Sequence, residues 1–353
     1  MNITFLIGNG FDLRMGMKTR FSDMYEAYID SESSSDVIKK FKDMLRMDAP
    51  EYKTWGDFEM AMAQKAKEFA DEDSFIECLR DFKVHMASHL EKQQSMFLER
   101  LAVSDDAQRL STREVSNSVE KFYMGLTPNT RNALSGMGDN RDPKYEFISF
   151  NYTKVFDRIL SPFYGEVMHI HGTLDADVVV GADNLGQVKD LPYITTRRFE
   201  RAFIKPTFNK SFDNSRVEKA EEIIKKSDII CIYGMSLGES DYSWVARIKE
   251  WLLSHKDNHL VYFVHDERVF SKLNWDAIMD EEDGRIAGLL GKICDSGDEM
   301  GKIFDQIHVP VGYDIFSVDE ILKKEQLRIL DENAKKTAIR KRIEELPLKA
   351  ELV

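Results

Sequence analysis

From residue 144 onward, short apolar runs alternate with stretches of helical periodicity, and one further apolar run opens the chain. The runs fall at 2–7, 146–149, 166–170, 177–180, 228–233, 260–264 and 303–309, with helical patterns at 153–161, 214–226, 241–253 and 284–293. They are short and mostly apolar, the pattern of strands buried on both faces. Strands of that kind interleaved with helices form a parallel sheet covered by helices on both sides. The expected class is therefore α/β, a Rossmann-like doubly wound parallel sheet. Residues 20–140 break the alternation. Phe75, Leu79, Phe82, Met86 and Leu90 recur at spacings of three and four, which is one face of a long helix. Further helices are expected at 21–30, 36–46, 55–69 and 112–125, and Gly125–Pro143 reads as a loop. The organisation follows: residues 1–18 with 144–315 as the Rossmann-like sheet domain, 19–143 as a helical insertion after the first strand, and 316–353 as a charged helical arm. Leu322, Leu327, Leu330 and Ile339 suit that arm to docking on the body or on another subunit.

Bulk properties narrow the function. The chain has 353 residues and a formal net charge of −13. An acidic surface repels phosphate backbones, so sequence-independent nucleic-acid binding is disfavoured. Cys78, Cys231 and Cys294 are far apart, which gives neither a disulfide framework nor a four-cysteine zinc site. No run of about 18 apolar residues is present, and the opening run lacks a basic flank. A cytoplasmic protein without a membrane span or bound metal is expected.

Chemistry-bearing residues collect where strands end, the edge at which parallel sheets bind ligands. Gly8-Asn9-Gly10-Phe11-Asp12 follows the first strand. Its backbone can approach a phosphate and a helix N-terminus follows, although the third glycine of the dinucleotide fingerprint is missing. Asp12 suits a ribose hydroxyl or a helix cap. Phe150-Asn151-Tyr152-Thr153 follows the second strand, where Asn151 can hold a hydroxyl or a water, or cap a helix with Thr153. His169-Ile170-His171-Gly172 ends the third. Alternation puts both histidines on one face, and His171 beside a glycine suits a general base. Tyr233 to Asp241 reads either as a small-residue loop cradling a ribose or as the G-x-S-x-G elbow of a serine hydrolase. The second reading would pair Ser236 with Asp266 and His308. Against it, the next helix starts late, with Asp241 as its apparent N-cap.

Other features have plainer readings. His85 and His89, one helical turn apart, border an apolar face and read as structural. The acids of Trp55-Gly56-Asp57-Phe58-Glu59 suit a helix N-terminus, and Glu59 is also placed to face a pocket.

Taken in order, GNGFDL, FNYT, HIHG and YGMSLGESD resemble the AbiH-like family of bacterial abortive-infection proteins, and Trp55–Glu59 and Val180-Gly181 fit the same pattern. That family is in turn similar to the sirtuin-like NAD-consuming fold, with Gly8–Asp12, Asn151, His171, and Gly234 with Ser236 at its four motifs. Three departures stand out: Thr153 replaces the Asp of the Asn segment, Asp12 replaces a Ser, and the zinc module is absent. The resemblance implies NAD as substrate rather than coenzyme. Asn151 and His171 would be catalytic, while Gly8, Asn9, Gly10, Phe11, Asp12, Gly234, Ser236 and Asp241 would bind the nucleotide. It implies hydrolysis of the nicotinamide–ribose bond, with a non-catalytic nucleotide sensor as the alternative. Expected partners are the nucleotide, an activator from phage or host, and a second copy of the chain.

Overall fold

A computed structural model describes residues 1–48, 55–136, 142–176, 178–188, 190, 191, 193, 195–211, 215–265 and 275–344. Its centre is an all-parallel sheet of β1 (Asn2–Ile7), β2 (Lys144–Ser149), β3 (Val167–His169), β4 (Ile229–Tyr233), β5 (His259–Phe263) and β6 (Ile307–His308), in the order β3-β2-β1-β4-β5-β6. The direction of winding reverses between β1 and β4, so the crevice beyond their C-terminal ends is the topological switch point. Gly8, Asn9, Gly10 and Asp12 of the glycine loop follow β1 into that crevice.

Between β1 and β2 lie α1 (Gly10–Arg14), α2 (Phe21–Asp30), α3 (Asp36–Asp48), α4 (Trp55–Lys65), α5 (Glu72–Leu101), α6 (Asp105–Glu120) and α7 (Pro128–Gly136). The second half adds α8 (Val155–Ile159), α9 (Arg197–Phe203), α10 (Lys205–Ser211), α11 (Ser215–Lys226), α12 (Tyr242–Ser254), α13 (Trp275–Ile293), α14 (Gly297–Ile303) and α15 (Val318–Glu344).

Strand alternation sorts the core. Ile3, Phe5 and Ile7 face one side of β1 and pack with Phe97 and Leu101 of α5, Val115 and Val119 of α6, Val155 of α8 and Leu322 of α15. Leu6 faces the other side, together with Ile230 and Ile232 of β4, and meets α11, α12 and α13. Both faces of β1 and β4 are therefore dry, which is why these two strands read as apolar runs. A third cluster lies inside the insertion, where Phe75, Phe82 and Met86 of α5 join α2, α3, α4 and α9. Burying an aromatic of this kind contributes about 1.5–3 kcal/mol.

Several expectations are corrected. Residues 178–180 form no strand; the segment instead carries an isolated bridge from Ala182 to Ile204, and Asp177 lies outside the described residues. Only Ile307 and His308 of the 303–309 run pair as strand, because the preceding residues close α14 and a 3-10 turn. Gly125–Pro143 is not all loop, since Pro128 opens α7 at a position where its missing N–H costs nothing. The arm docks through Val318 and Leu322, with Arg100 bonded to Asp319 at 2.5 Å. Leu327, Leu330 and Ile339 are exposed. No helix among the described residues is long and apolar enough to cross a membrane.

Candidate functional site

The glycine loop and the β4 loop are clasped together by backbone. Gly8 N–H donates to the Tyr233 carbonyl at 2.8 Å, Gly10 N–H to the Gly234 carbonyl at 2.9 Å, and Phe11 N–H to the Gly8 carbonyl at 2.9 Å. A Cβ on Gly10 would lie 2.5 Å from the Gly234 Cα, and Gly234 itself has φ +73°. Only glycine satisfies both the approach and the dihedral. The loop was expected to offer these N–H groups to a pyrophosphate, but carbonyls of the protein already engage them. The glycines serve the contact between β1 and β4. Asn9 is also occupied, donating from Nδ2 to the Thr19 carbonyl and accepting from Thr19 Oγ1. Phe11 is a core residue, edge-on to Phe156 and Phe316, and lies outside the cavity lining.

The crevice opens into a cavity of about 400 Å³. It is bounded by the two loops, by Asn151 and His171, and by Arg20, Phe21, Glu59 and Leu90 of the insertion. The insertion thus supplies a wall of the site.

On one side Asp12 caps nothing. Its carboxylate accepts from Asn151 Nδ2 at 3.2 Å and Thr153 Oγ1 at 2.7 Å. Burial pushes its pKa up to about 7, against the two hydrogen bonds that favour the anion. Asp12 thereby orients the Asn151 amide: with Nδ2 taken, Oδ1 remains as a buried acceptor that no protein group meets.

On the other side His171 is buried, with Nε2 unpartnered and 3.5 Å from Asp241 Oδ1. That leaves Nδ1 for the hydrogen bond the ring makes with the Phe150 backbone. Burial, and then the charge of Lys205, bring the imidazole down to about 4. At neutral pH it is uncharged and can take a proton. Lys205 Nζ donates to Glu59 Oε2 at 2.8 Å, the Ser240 carbonyl at 3.0 Å and Asp241 Oδ1 at 3.3 Å. Burial, the largest single influence on Asp241, would lift it, but the charge of Lys205, the neighbouring His171 and the hydrogen bond from Lys205 together hold the carboxyl below its usual range. Glu59 Oε1 in turn accepts the Gly181 N–H at 3.1 Å. A Cβ on Gly181 would fall 1.9 Å from the Phe203 carbonyl oxygen, which accounts for that glycine.

The cavity therefore brings together Asn151, His171, Asp12, Asp241, Gly8, Gly10 and Gly234, with Ser236 at its exposed rim. Asp241 occupies the cap position of α12 without capping it; Asp183 does so instead, accepting from Ser243 N–H at 3.0 Å. His169 points elsewhere, its ring 2.9 Å from the Asn151 carbonyl and 3.0 Å from Asp157. The strand ends at His169, so alternation does not carry through to His171. His85 and His89 bond the Asp81 and Lys18 carbonyls. Among the described residues no cluster of His, Cys, Asp and Glu could hold a metal.

The serine-hydrolase constellation is not assembled. His308 stacks on His259, with Nε2 3.0 Å from its Nδ1. His259 opens β5 level with Ile229, at the opposite end of the sheet from Ser236. The strained residue of the loop is Leu237, with φ +51°, and not the serine. Asp266 lies outside the described residues.

Lys205 was invisible in sequence. Its helix buries Lys205 and Asn209, both polar, so no apolar periodicity marks the position.

No curated protein matches the chain. Residues 4–263 match the family model described as bacteriophage abortive infection AbiH, a span that runs from β1 to the end of β5 and takes in every cavity residue named above. The chain belongs to the AbiH family of bacteriophage abortive-infection proteins.

Proposed function

We propose that the cavity binds NAD or a closely related nucleotide and hydrolyses its nicotinamide–ribose bond. The observation that carries this reading is the pair of bare buried acceptors, Asn151 Oδ1 and His171 Nε2, in one cavity at the switch point. Buried polar atoms without partners are costly, of order 1–3 kcal/mol each, and are satisfied by a ligand that brings hydroxyl donors. A ribose or an attacking water supplies them. The order of glycine loop, Asn, His-Gly and Gly-x-Ser resembles that of sirtuin-like NAD-consuming folds, which supports the same assignment.

In the reaction the bond from ribose C1′ to the nicotinamide nitrogen breaks, and nicotinamide leaves with the electron pair. Water adds to C1′, and His171 takes its proton. The products are nicotinamide, ADP-ribose and a proton. Asn151 Oδ1 orients the water or a ribose hydroxyl, and the nearby carboxylates of Asp241 and Asp12 favour the cationic, oxocarbenium-like transition state. An effector of this kind must be silent until infection, so an activator from phage or host belongs to the proposal.

The test is release of free nicotinamide from NAD by purified protein, alone and with extracts of infected cells. Asn151→Ala and His171→Ala are each expected to lower the rate by about 10²–10⁴-fold. Undiminished cleavage in both variants would reassign the roles, and absence of cleavage under every condition would leave the sensor reading, in which NAD binds without turnover.

A further inference from the structure

Lys205 is the only cation bonded to the buried carboxylates of the cavity, among the described residues. Its side chain and that of Glu59 are 6% and 7% exposed. Three bonds fix Nζ, and they reach into separate parts of the fold: Glu59 in α4 of the insertion, and Ser240 and Asp241 before α12. Asp241 Oδ1 is then shared, 3.3 Å from the ammonium and 3.5 Å from His171 Nε2. Glu59 closes the chain by accepting Gly181 N–H. The result is a continuous line from insertion to imidazole: Glu59, Lys205, Asp241, His171.

We propose that Lys205 is the positioning residue of this site, holding Asp241 beside His171 and joining the helical insertion to the base. The proposal rests on the reading of His171 as the base. An unneutralised Asp241 at 3.5 Å would draw a proton onto Nε2 and remove the acceptor; the Lys205 ammonium balances that carboxylate and opposes a second positive charge beside it. The other charged or titratable groups around His171 act more weakly or from further off. They are Arg216 of α11, which opposes protonation, Tyr152 with its ring centroid 6.2 Å away, and Asp12 across the cavity. The same line explains why the insertion carries Glu59: without it, a buried ammonium would face one carboxylate and lose its tie to α4.

The direct test follows the imidazole itself. Histidine labelled with ¹⁵N is incorporated, the His171 signal is assigned by its loss in His171→Asn, and the ring is titrated by NMR. In the wild-type chain it is expected to stay neutral down to about pH 4. In Lys205→Met, and in the double variant E59Q/K205M that removes a buried carboxylate along with the cation, the midpoint is expected to rise by about one pH unit or more. Lys205→Arg is expected to restore the wild-type midpoint. An unmoved midpoint in a Lys205→Met or double variant that still melts cooperatively would overturn the proposal, as would a raised midpoint in Lys205→Arg. The acidic limb of NAD cleavage is the second readout and should move with the midpoint. If the wild-type chain releases no nicotinamide, the hydrolase reading falls, while the titration still decides the role of Lys205.

Discussion

Two aspartates, Asp12 buried and Asp241 half-buried, face the same cavity and are held in opposite ways. Asp12 has neutral partners, Asn151 and Thr153, and burial lifts it to about 7. Asp241 has Lys205 and His171 beside it, and together they hold it low against burial. The difference lies in which carboxylate Lys205 bonds: Asp12 has only neutral hydrogen-bond partners and its carboxyl can titrate near neutrality, whereas Asp241 shares the ammonium with Glu59. Asn151 is oriented by Asp12, while burial, and then the charge of Lys205 against that of Asp241, keep His171 unprotonated. Each ends with one bare acceptor, for unrelated electrostatic reasons.

The comparison is broken most sharply at Lys205. Lys205→Met leaves Glu59 and Asp241 buried without a counter-ion and is expected to cost about 3–5 kcal/mol, read by urea denaturation. A loss under about 1 kcal/mol would mean that the pair carries no buried charge. Smaller, and opposite in sign on the two sides, are the pH effects. The folded-state pKa of Asp12 is raised from 3.8 to about 7, so its contribution to stability falls as pH rises through that window. That of His171 is lowered from 6.5 to about 4, so its contribution falls as pH drops through an overlapping window. The two offset each other in the wild-type chain. Asp12→Asn should uncover a steady loss of stability from pH 6.5 toward pH 4, and His171→Asn a loss from pH 4 toward pH 7. Parallel profiles in the two variants would contradict the assignment. Thr153→Val removes one bond to Asp12 and is expected to cost about 1–3 kcal/mol above pH 7 and less below it, because only the anion loses a charge-assisted bond. Ser236→Ala, at the exposed rim, should leave stability unchanged, and a fluorophosphonate probe should leave Ser236 unlabelled.

These two sides were unequally legible in the sequence. The sheet could be read because both faces are buried, so β1, β2, β4 and β5 stand out as apolar runs. The four site segments could be read because parallel strands deliver their C-terminal loops to one edge. What each residue does there was less readable. Gly8 and Gly10 look like phosphate-binding glycines, but backbone packing against Gly234 also demands glycine, and sequence cannot separate the two. Asp241 looks like a helix cap because it precedes α12, and only the fold shows Asp183 in that role. Glu59 and Lys205 are 146 residues apart. An ion pair leaves no local periodicity, and its lysine lies in a region where short helices interrupt the strand pattern. Residues 178–180 mislead for the converse reason: Val178, Val179 and Val180 have strand composition, but Val178 and Val180 pack in the cluster of α9 and the insertion, Val179 N–H bonds the His171 carbonyl, and none joins the sheet.

The central claim is that Asn151 and His171 present their acceptors to one ribose. The most direct measurement is a structure of the protein with ADP-ribose bound. The account predicts ribose hydroxyls within hydrogen-bonding distance of Asn151 Oδ1 and His171 Nε2, with the diphosphate lying along the glycine-loop side of the cavity. ADP-ribose bound elsewhere, or seated in the cavity with both of those atoms still unpartnered, would contradict it.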